Sequence, residues 1–156
     1  MLKIDTKIQG SAIVVRLSGD IGEGVDFQTS IGEGHSEILV YCKDVARINS
    51  VGVKAWIRYF SGITIRGAKL KFFECSHAIM EQINLVMNFN CGGSVESICL
   101  PYFCPKCHST NNVLVLVETL RKDAANLPEP PCLVCKEAKM EFDDIPSEYF
   151  TFLNRT

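Results

Sequence analysis

The sequence has no long hydrophobic run. Its longest aliphatic stretch, residues 113–117, is far too short to cross a bilayer, and residues 1–7 carry no apolar segment of the kind found in signal peptides. These absences predict a cytoplasmic protein without a membrane partner.

The chain also has little net charge. The balance of −2 gives no indication of a polyanionic partner. A hydrophobic fraction of 47% with 22% charged residues is ordinary for a soluble globular protein. At 156 residues the chain can bury a sizeable core, either as one domain or as a domain with a small appendage.

A phosphate-binding loop is missing as well. The tetrapeptide Ile-Gly-Glu-Gly occurs twice, at residues 21–24 and 31–34, but no third glycine stands at fingerprint spacing and no Gly-Lys-Ser/Thr follows. The two glutamates would also repel phosphate. We therefore interpret this region as turns around a short helix at residues 25–30.

We find no constellation of groups that would carry out a reaction. Paired carboxylates and cysteine–histidine pairs at useful spacing are absent from the sequence. His35 and His77 are isolated, and we expect both to face solvent. The sequence therefore predicts a protein that is not an enzyme.

Cysteine, by contrast, is plentiful, and its spacing argues against a disulfide framework. Four of the eight cysteines form two Cys-x-x-Cys units: Cys104, Cys107, Cys132 and Cys135. Each such turn delivers two thiolates from one tight bend, and two turns complete a tetrahedral zinc shell with no position left for a substrate. We predict a structural zinc ribbon. A rubredoxin-like iron site uses the same ligands, and a redox dithiol is a third interpretation.

The remaining candidate ligands have simpler interpretations. His108 follows Cys107 directly. Because four cysteines already fill the metal shell, we expect His108 to be a polar neighbour of the Cys-x-x-Cys turn, which we call a knuckle, and not a ligand. The other four cysteines lie in or beside apolar segments and are predicted to be core thiols: Cys42, Cys75, Cys91 and Cys99.

Residues 47–60 are predicted to turn a buried strand, residues 36–42, into an amphipathic helix. Asn49 or Ser50 can cap this helix by accepting a hydrogen bond from a free backbone N–H group. Lys54 and Arg58 would lie on its wet face. Four apolar residues recur at helical period and would form the opposite face: Val53, Trp56, Ile57 and Phe60.

A strand, a short polar turn with Gly52, and a helix together resemble the corner of a STAS domain, the fold of anti-sigma-factor antagonists. The resemblance covers about residues 2–100 and is most specific at residues 48–52, Ile-Asn-Ser-Val-Gly. In that family the motif is Asp-Ser-Ser/Thr-Gly, and its first serine is phosphorylated by a cognate anti-sigma kinase. Ser50 falls on that serine and is the phosphoacceptor that the resemblance implies.

The motif departs from the family pattern at three positions. Asn49 stands where the family has Asp, Val51 where it has a second hydroxyl, and Tyr41 where many members carry an Asp. The resemblance further implies that the partner surface adjoins the helix, which gives the partner-binding candidates: Asn49, Gly52, Lys54 and Arg58.

Strands alternate with helices along the first hundred residues, which predicts an α/β layer architecture. We expect a STAS-like domain over residues 1–100, with a mixed sheet and helices mainly on one face, and a zinc ribbon with an acidic, aromatic tail over residues 101–156. Ser76 is predicted to cap a second helix. Residues 18–20 are predicted to end the second strand. Predicted strands lie at residues 2–8, 11–17, 36–42, 68–75, 95–100 and 113–117.

Three functions from different classes are compatible with these patterns. The first, which we prefer, is a non-catalytic interaction module of bacterial signal transduction and transcription regulation, with an anti-sigma-type serine kinase as a partner and the ribbon as a second docking surface. The second is a nucleic-acid-binding ribbon, which is opposed by six Lys and Arg against eight Asp and Glu in residues 101–156. The third is a thiol- or metal-dependent enzyme. The oligomeric state is left open.

Overall fold

Two β-sheets form the framework of the protein, which a computed structural model describes over residues 1–154. The first sheet has five strands in sequential order: β1 (Lys3–Gln9), β2 (Ala12–Ile21), β3 (Glu37–Ile48), β4 (Lys69–Phe73) and β5 (Ser94–Val95). Its first two strands are antiparallel and the others are parallel, so the sheet is mixed as predicted. The second, antiparallel sheet has the order β7-β6-β8, with β6 (Ser97–Phe103), β7 (Thr110–Leu116) and β8 (Glu141–Phe142).

Within residues 1–154, five helices complete the α/β architecture. They are α1 (Phe27–Ile31), α2 (Ser50–Ile65), α3 (His77–Leu85), α4 (Val117–Lys122) and α5 (Pro146–Tyr149), and a 3₁₀ turn follows at Thr151–Asn154. The cap predicted for α3 is confirmed, because the Ser76 hydroxyl accepts a hydrogen bond from the Ile79 amide. Within the described residues, no helix combines the length and apolar character needed to cross a membrane.

Several predicted boundaries differ from the structure. The predicted break at residues 18–20 is wrong, because β2 continues to Ile21 through two shifts of register against β3, which let the strand bend without ending. Helix α3 ends at Leu85, before the predicted stop at residues 90–93, because Val86 already has an extended backbone. Val117, assigned to a strand by the sequence, begins α4.

The first sheet is buried on one face only. Alternate residues of β2, β3 and β4 pack into the core with 0–3% of their surface exposed: Ile13, Val15, Leu17, Ile38, Val40, Cys42, Leu70 and Phe72. The intervening residues, which we call the open face, are half-buried or exposed: Ala12, Val14, Arg16, Glu37, Leu39, Tyr41, Lys69, Lys71 and Phe73. Alternation of this kind is typical of a sheet with helices on one side and solvent on the other.

The two sheets share one continuous core. Strand β6 follows β5 after a single residue, and Cys75, just beyond β4, forms a parallel bridge to Ile98 in β6. The predicted domain boundary at residues 100–101 lies inside β6, which passes through Pro101. The chain therefore changes sheets at Glu96, before the predicted boundary.

The aromatic tail packs on both parts of the molecule. The Phe150 ring stacks on Phe142 with centroids 5.6 Å apart. The Tyr149 hydroxyl donates a hydrogen bond to the Cys99 carbonyl at 2.6 Å. Asn84 of α3 holds the tail at two points, donating to the Tyr149 carbonyl at 2.9 Å and accepting from the Phe152 amide at 3.0 Å. The tail thus fastens the second sheet to α3.

Candidate functional site

Four cysteine sulfur atoms come together at the far end of the second sheet. The Sγ atoms of Cys104, Cys107, Cys132 and Cys135 all lie within 4.8 Å of one another. Cys104 and Cys135 are 3.7 Å apart, and Cys107 and Cys132 are 3.6 Å apart. Four thiolates bound to one ion at about 2.3 Å would be separated by about 3.8 Å, whereas a disulfide would bring two sulfur atoms to about 2.05 Å. The cluster could therefore hold a metal ion.

Both Cys-x-x-Cys segments fold into the same turn. The His108 amide donates to the Cys104 carbonyl at 2.9 Å, and the Lys136 amide donates to the Cys132 carbonyl at 3.1 Å. Each donor residue has a left-handed backbone, with φ of 62° at His108 and 60° at Lys136. The repeated turn places two sulfur atoms on the same side of each loop, which is the arrangement that a four-thiolate site requires.

Ser109 is a member of this site that the sequence did not reveal. Its Oγ lies 3.0 Å from Cys107 Sγ and 3.4 Å from Cys132 Sγ. Hydrogen bonding to this hydroxyl lowers the pKa of the Cys107 thiol, and it lowers the pKa of the Cys132 thiol to about 5. A hydroxyl two residues after a knuckle cysteine is the only signal in the sequence, and it is too common to identify a ligand neighbour. His108 is exposed and stands outside the sulfur cluster.

The two knuckles are also joined at their rims. The Lys106 ammonium forms an ion pair with the Glu137 carboxylate, which links one turn to the other across the surface. Leu133 and Val134, at the tip of the second turn, leave 72% and 71% of their surface exposed. The surface of the two knuckles therefore carries an ion pair between the turns and an exposed apolar tip, Leu133 and Val134.

The other four cysteines are free and buried, which confirms the prediction of core thiols: Cys42, Cys75, Cys91 and Cys99. Burial raises the pKa of the Cys91 and Cys99 thiols, that of Cys99 to about 11. Both thiols therefore stay protonated near neutral pH, which makes them poor nucleophiles and poor metal ligands.

The second candidate site is the amino-terminal tip of α2. Asn49 caps the helix, because its Oδ1 atom accepts a hydrogen bond from the Gly52 amide at 2.9 Å. Ser50 is the first residue of the helix and is exposed to solvent. Of the two residues predicted as caps, Asn49 therefore caps the helix, and the Ser50 hydroxyl is not used for capping.

Gly52 allows the end of β2 to approach this tip. A Cβ atom at residue 52 would lie 2.4 Å from the Ile21 carbonyl oxygen, closer than any ordinary contact. The Asn49 amide donates to the same carbonyl at 3.1 Å. The glycine is therefore needed for the close contact between β2 and α2 that fixes the corner.

Replacing Gly52 with alanine should consequently destabilise the protein, although alanine is the better helix former. The clash with backbone is expected to lower the free energy of unfolding by about 2–3 kcal/mol, more than the roughly 1 kcal/mol that helix propensity returns. Urea unfolding followed by circular dichroism measures the change. Gly62 is the matched control in the same helix, because its Cβ would meet only the Arg66 guanidinium at 3.6 Å. Gly62→Ala should leave the stability unchanged or raise it, and an equal loss in both variants would contradict the steric explanation.

A groove of about 750 Å³ lies beside the tip. Its charged lining is mostly acidic, with Asp20, Glu23 and Asp26 against Arg47, which is 3.6 Å from Asp20. Lys54 and Arg58, predicted for the wet face of α2, are both exposed. Ser50, Lys54 and Arg58 stand four residues apart and therefore share one side of the helix.

The histidines behave differently from one another. His77 is exposed as predicted, but its Nε2 atom lies 3.3 Å from an Asp144 carboxylate oxygen. His35 is half-buried, and its Nε2 atom lies 3.0 Å from the Ile31 carbonyl oxygen, so the prediction that it faces solvent is wrong. The short turn between α1 and β3 brings the ring back over the helix.

Comparison of the chain with protein-family models and with curated protein sequences finds no match.

Proposed function

We propose that the protein is a non-catalytic regulatory interaction module of the anti-sigma-factor-antagonist type, which is switched by phosphorylation of Ser50. The observation that carries this proposal is the state of the helix tip. Ser50 is exposed at the first turn of a 16-residue helix whose capping position is already filled by Asn49. A serine that is not needed as a cap is free to serve as a phosphoacceptor.

The position of the motif supports the STAS-like assignment. Strand β3 ends at Ile48 and α2 begins at Ser50, so the five residues that resemble the family motif occupy a strand-to-helix corner. Gly52 is required there by the contact with β2, which gives a physical reason for the glycine of the motif.

The partner surface would be the exposed side of α2. It carries Ser50, Lys54 and Arg58, with the exposed Asn49 at its end, whereas Gly52, the remaining partner-binding candidate, is buried against β2 and supports this surface from beneath. A phosphate on Ser50 adds a charge of about −1.5 to −2. The helix N-terminus tolerates this charge. Lys54, one turn further along, offers it a nearby cation, so the modification would change the charge that a docked protein meets without unfolding the helix.

The four-cysteine cluster completes the proposal as a structural centre. Zinc suits a shell of four thiolates, and iron is the less favoured occupant of the same ligands. Since four cysteines fill a tetrahedral shell, no position remains for a substrate. The apolar tip formed by Leu133 and Val134 would serve as the second docking surface.

Phosphorylation of Ser50 can be tested with the anti-sigma-type serine kinases of the native host. The purified chain should take up one phosphate from ATP with one of these kinases, and Ser50→Ala should abolish the uptake. Ser30→Ala is the matched control, because Ser30 is also exposed and lines the neighbouring groove. The partner retained from host extract should differ between the unmodified chain and Ser50→Asp. Uptake that survives Ser50→Ala, or none with any of these kinases, would contradict the switch.

A further inference from the structure

The open face of the first sheet is unoccupied by any helix of residues 1–154. Strand β1 extends this face, because its odd-numbered residues pair with open-face residues of β2, Asp5 with Arg16 and Lys7 with Val14. Neighbouring strands lie about 4.8 Å apart. The four strands β1 to β4 therefore present a surface about 14 Å wide.

This face is basic although the whole chain is slightly acidic. Across β1 to β4 it carries five cations against three carboxylates: Lys3, Lys7, Arg16, Lys69 and Lys71 against Asp5, Glu37 and Asp44, the last of which lies opposite Ser18 in the same row as Lys3. Two of the carboxylates pair with lysines, Asp5 with Lys3 at 3.1 Å and Glu37 with Lys71 at 3.4 Å.

Three cations on the face are left without such a partner. Within the described part of the chain, Lys7, Arg16 and Lys69 form no ion pair, so the face keeps a net positive charge. The acidic balance of residues 101–156, which opposes nucleic-acid binding by the ribbon, does not apply to these three cations, because they lie in the first sheet.

An aromatic column runs across the middle of the same face. The Tyr41 and Phe73 rings, on neighbouring strands, stack with centroids 4.8 Å apart and planes 11° apart. The Arg16 guanidinium lies over the other side of Tyr41, 4.5 Å from its centroid. All three side chains remain partly or fully exposed. In the strand register the column lies one row beyond Lys7 and two rows beyond Lys69, so aromatic and guanidinium surface adjoins both unpaired lysines.

We propose that the open face binds single-stranded nucleic acid. Single strands are taken up by surfaces that combine cations for the phosphates with aromatic and arginine side chains for the bases, and an exposed four-stranded sheet is one recurrent form of such a surface. A second copy of this chain would bring like charges together. An acidic protein segment would match the charge but would make no use of the aromatic column.

Fluorescence anisotropy with labelled oligo-dT and oligo-U over a series of salt concentrations tests the proposal on the full chain. Neutralisation of three phosphates predicts a slope of log K against log salt of about −2. Lys7→Gln and Lys69→Gln should each reduce that slope by about 0.7. Tyr41→Ala should weaken binding about tenfold or more, because stacking contributes strongly for each base. Circular dichroism verifies folding, and Tyr41→Leu replaces Tyr41→Ala if the alanine variant does not fold.

Two exposed lysines of the second sheet region supply the controls. Lys122→Gln and Lys139→Gln should bind as the unmodified chain does. If they weaken binding as much as Lys7→Gln does, the open face is not the site. Absence of binding at low salt would overturn the proposal. Poly-glutamate is the competitor that tests for an acidic protein segment. If it competes as well as oligo-dT does, and if Tyr41→Ala does not weaken binding, the face would be assigned to an acidic protein segment instead.

Discussion

Replacing Cys104 and Cys132 with alanine is expected to abolish metal binding and to unfold the knuckles with β7 and β8, while the first sheet and the part of β6 that shares its core keep their fold. These two sulfur atoms belong to the buried half of the cluster, and each comes from a different knuckle. Structural zinc contributes apparent binding energies of about 10–16 kcal/mol in small ribbons. That is as large as the whole stability of an ordinary domain, about 5–15 kcal/mol. The knuckles and the short strands beside them are therefore not expected to persist without a bound metal ion.

Elemental analysis should give about one zinc per unmodified chain and none in the double variant. Limited proteolysis should then cleave the variant within the region of β7, β8 and the knuckles and leave residues 1–95 protected. Cys99→Ala is the control, because it removes a buried thiol outside the cluster and should retain the metal. A double variant that resists protease like the unmodified chain would show that the metal is not structural.

Replacing Trp56 with alanine is expected to produce the largest loss of stability in the first sheet region. The side chain is 1% exposed and packs among four phenylalanine rings: Phe27, Phe60, Phe72 and Phe89. Its Nε1 also donates to the Phe89 carbonyl at 3.0 Å. Tryptophan-to-alanine changes in a core cost about 3–5 kcal/mol, and the variant additionally leaves the Phe89 carbonyl with the weaker Cys91 thiol as its donor, at 3.2 Å.

Thermal and urea unfolding monitored by circular dichroism measure this loss, since the variant has no tryptophan fluorescence. Val51→Ala, in the same helix, is the control, because Val51 is 44% exposed and its replacement should change the stability by no more than about 0.5 kcal/mol. A loss below about 1 kcal/mol in Trp56→Ala would mean that the aromatic core relaxes around the cavity.

The features that depend on short sequence spacing were the ones that could be predicted. The four clustered cysteines follow from two local turns, and the cap of α2 follows from the polar residues before it. The apolar face of α2 was predicted in most of its members. Trp56 and Phe60 are buried and Ile57 packs partly buried against the core, but Val53 is only half-buried and Tyr59 is buried as well. The reason is tertiary, because Phe27 of α1 packs on Tyr59 at 5.8 Å and draws that side of the helix inward.

Features made by distant parts of the chain could not be seen in the sequence. The pair of His77 and Asp144 joins residues 67 positions apart, and Ser109 reaches Cys132 only after both knuckles fold. The charge of the open face likewise depends on register. Lysines in separate strands are scattered along the sequence, and they become neighbours only when the strands pair.

The two hydrogen bonds by which Asn84 holds the aromatic tail have a consequence for the synthesis of the protein. The tail that it holds leaves the ribosome 65 residues or more after Asn84 itself. Until then, a nascent chain exposes the side of α3 that Tyr149 and Phe152 later cover. Truncation before residue 149 would make that exposure permanent, and apolar surface of this kind invites aggregation and degradation. Any shortened version of the protein should therefore retain residues 149–152, whatever part of the molecule is under investigation.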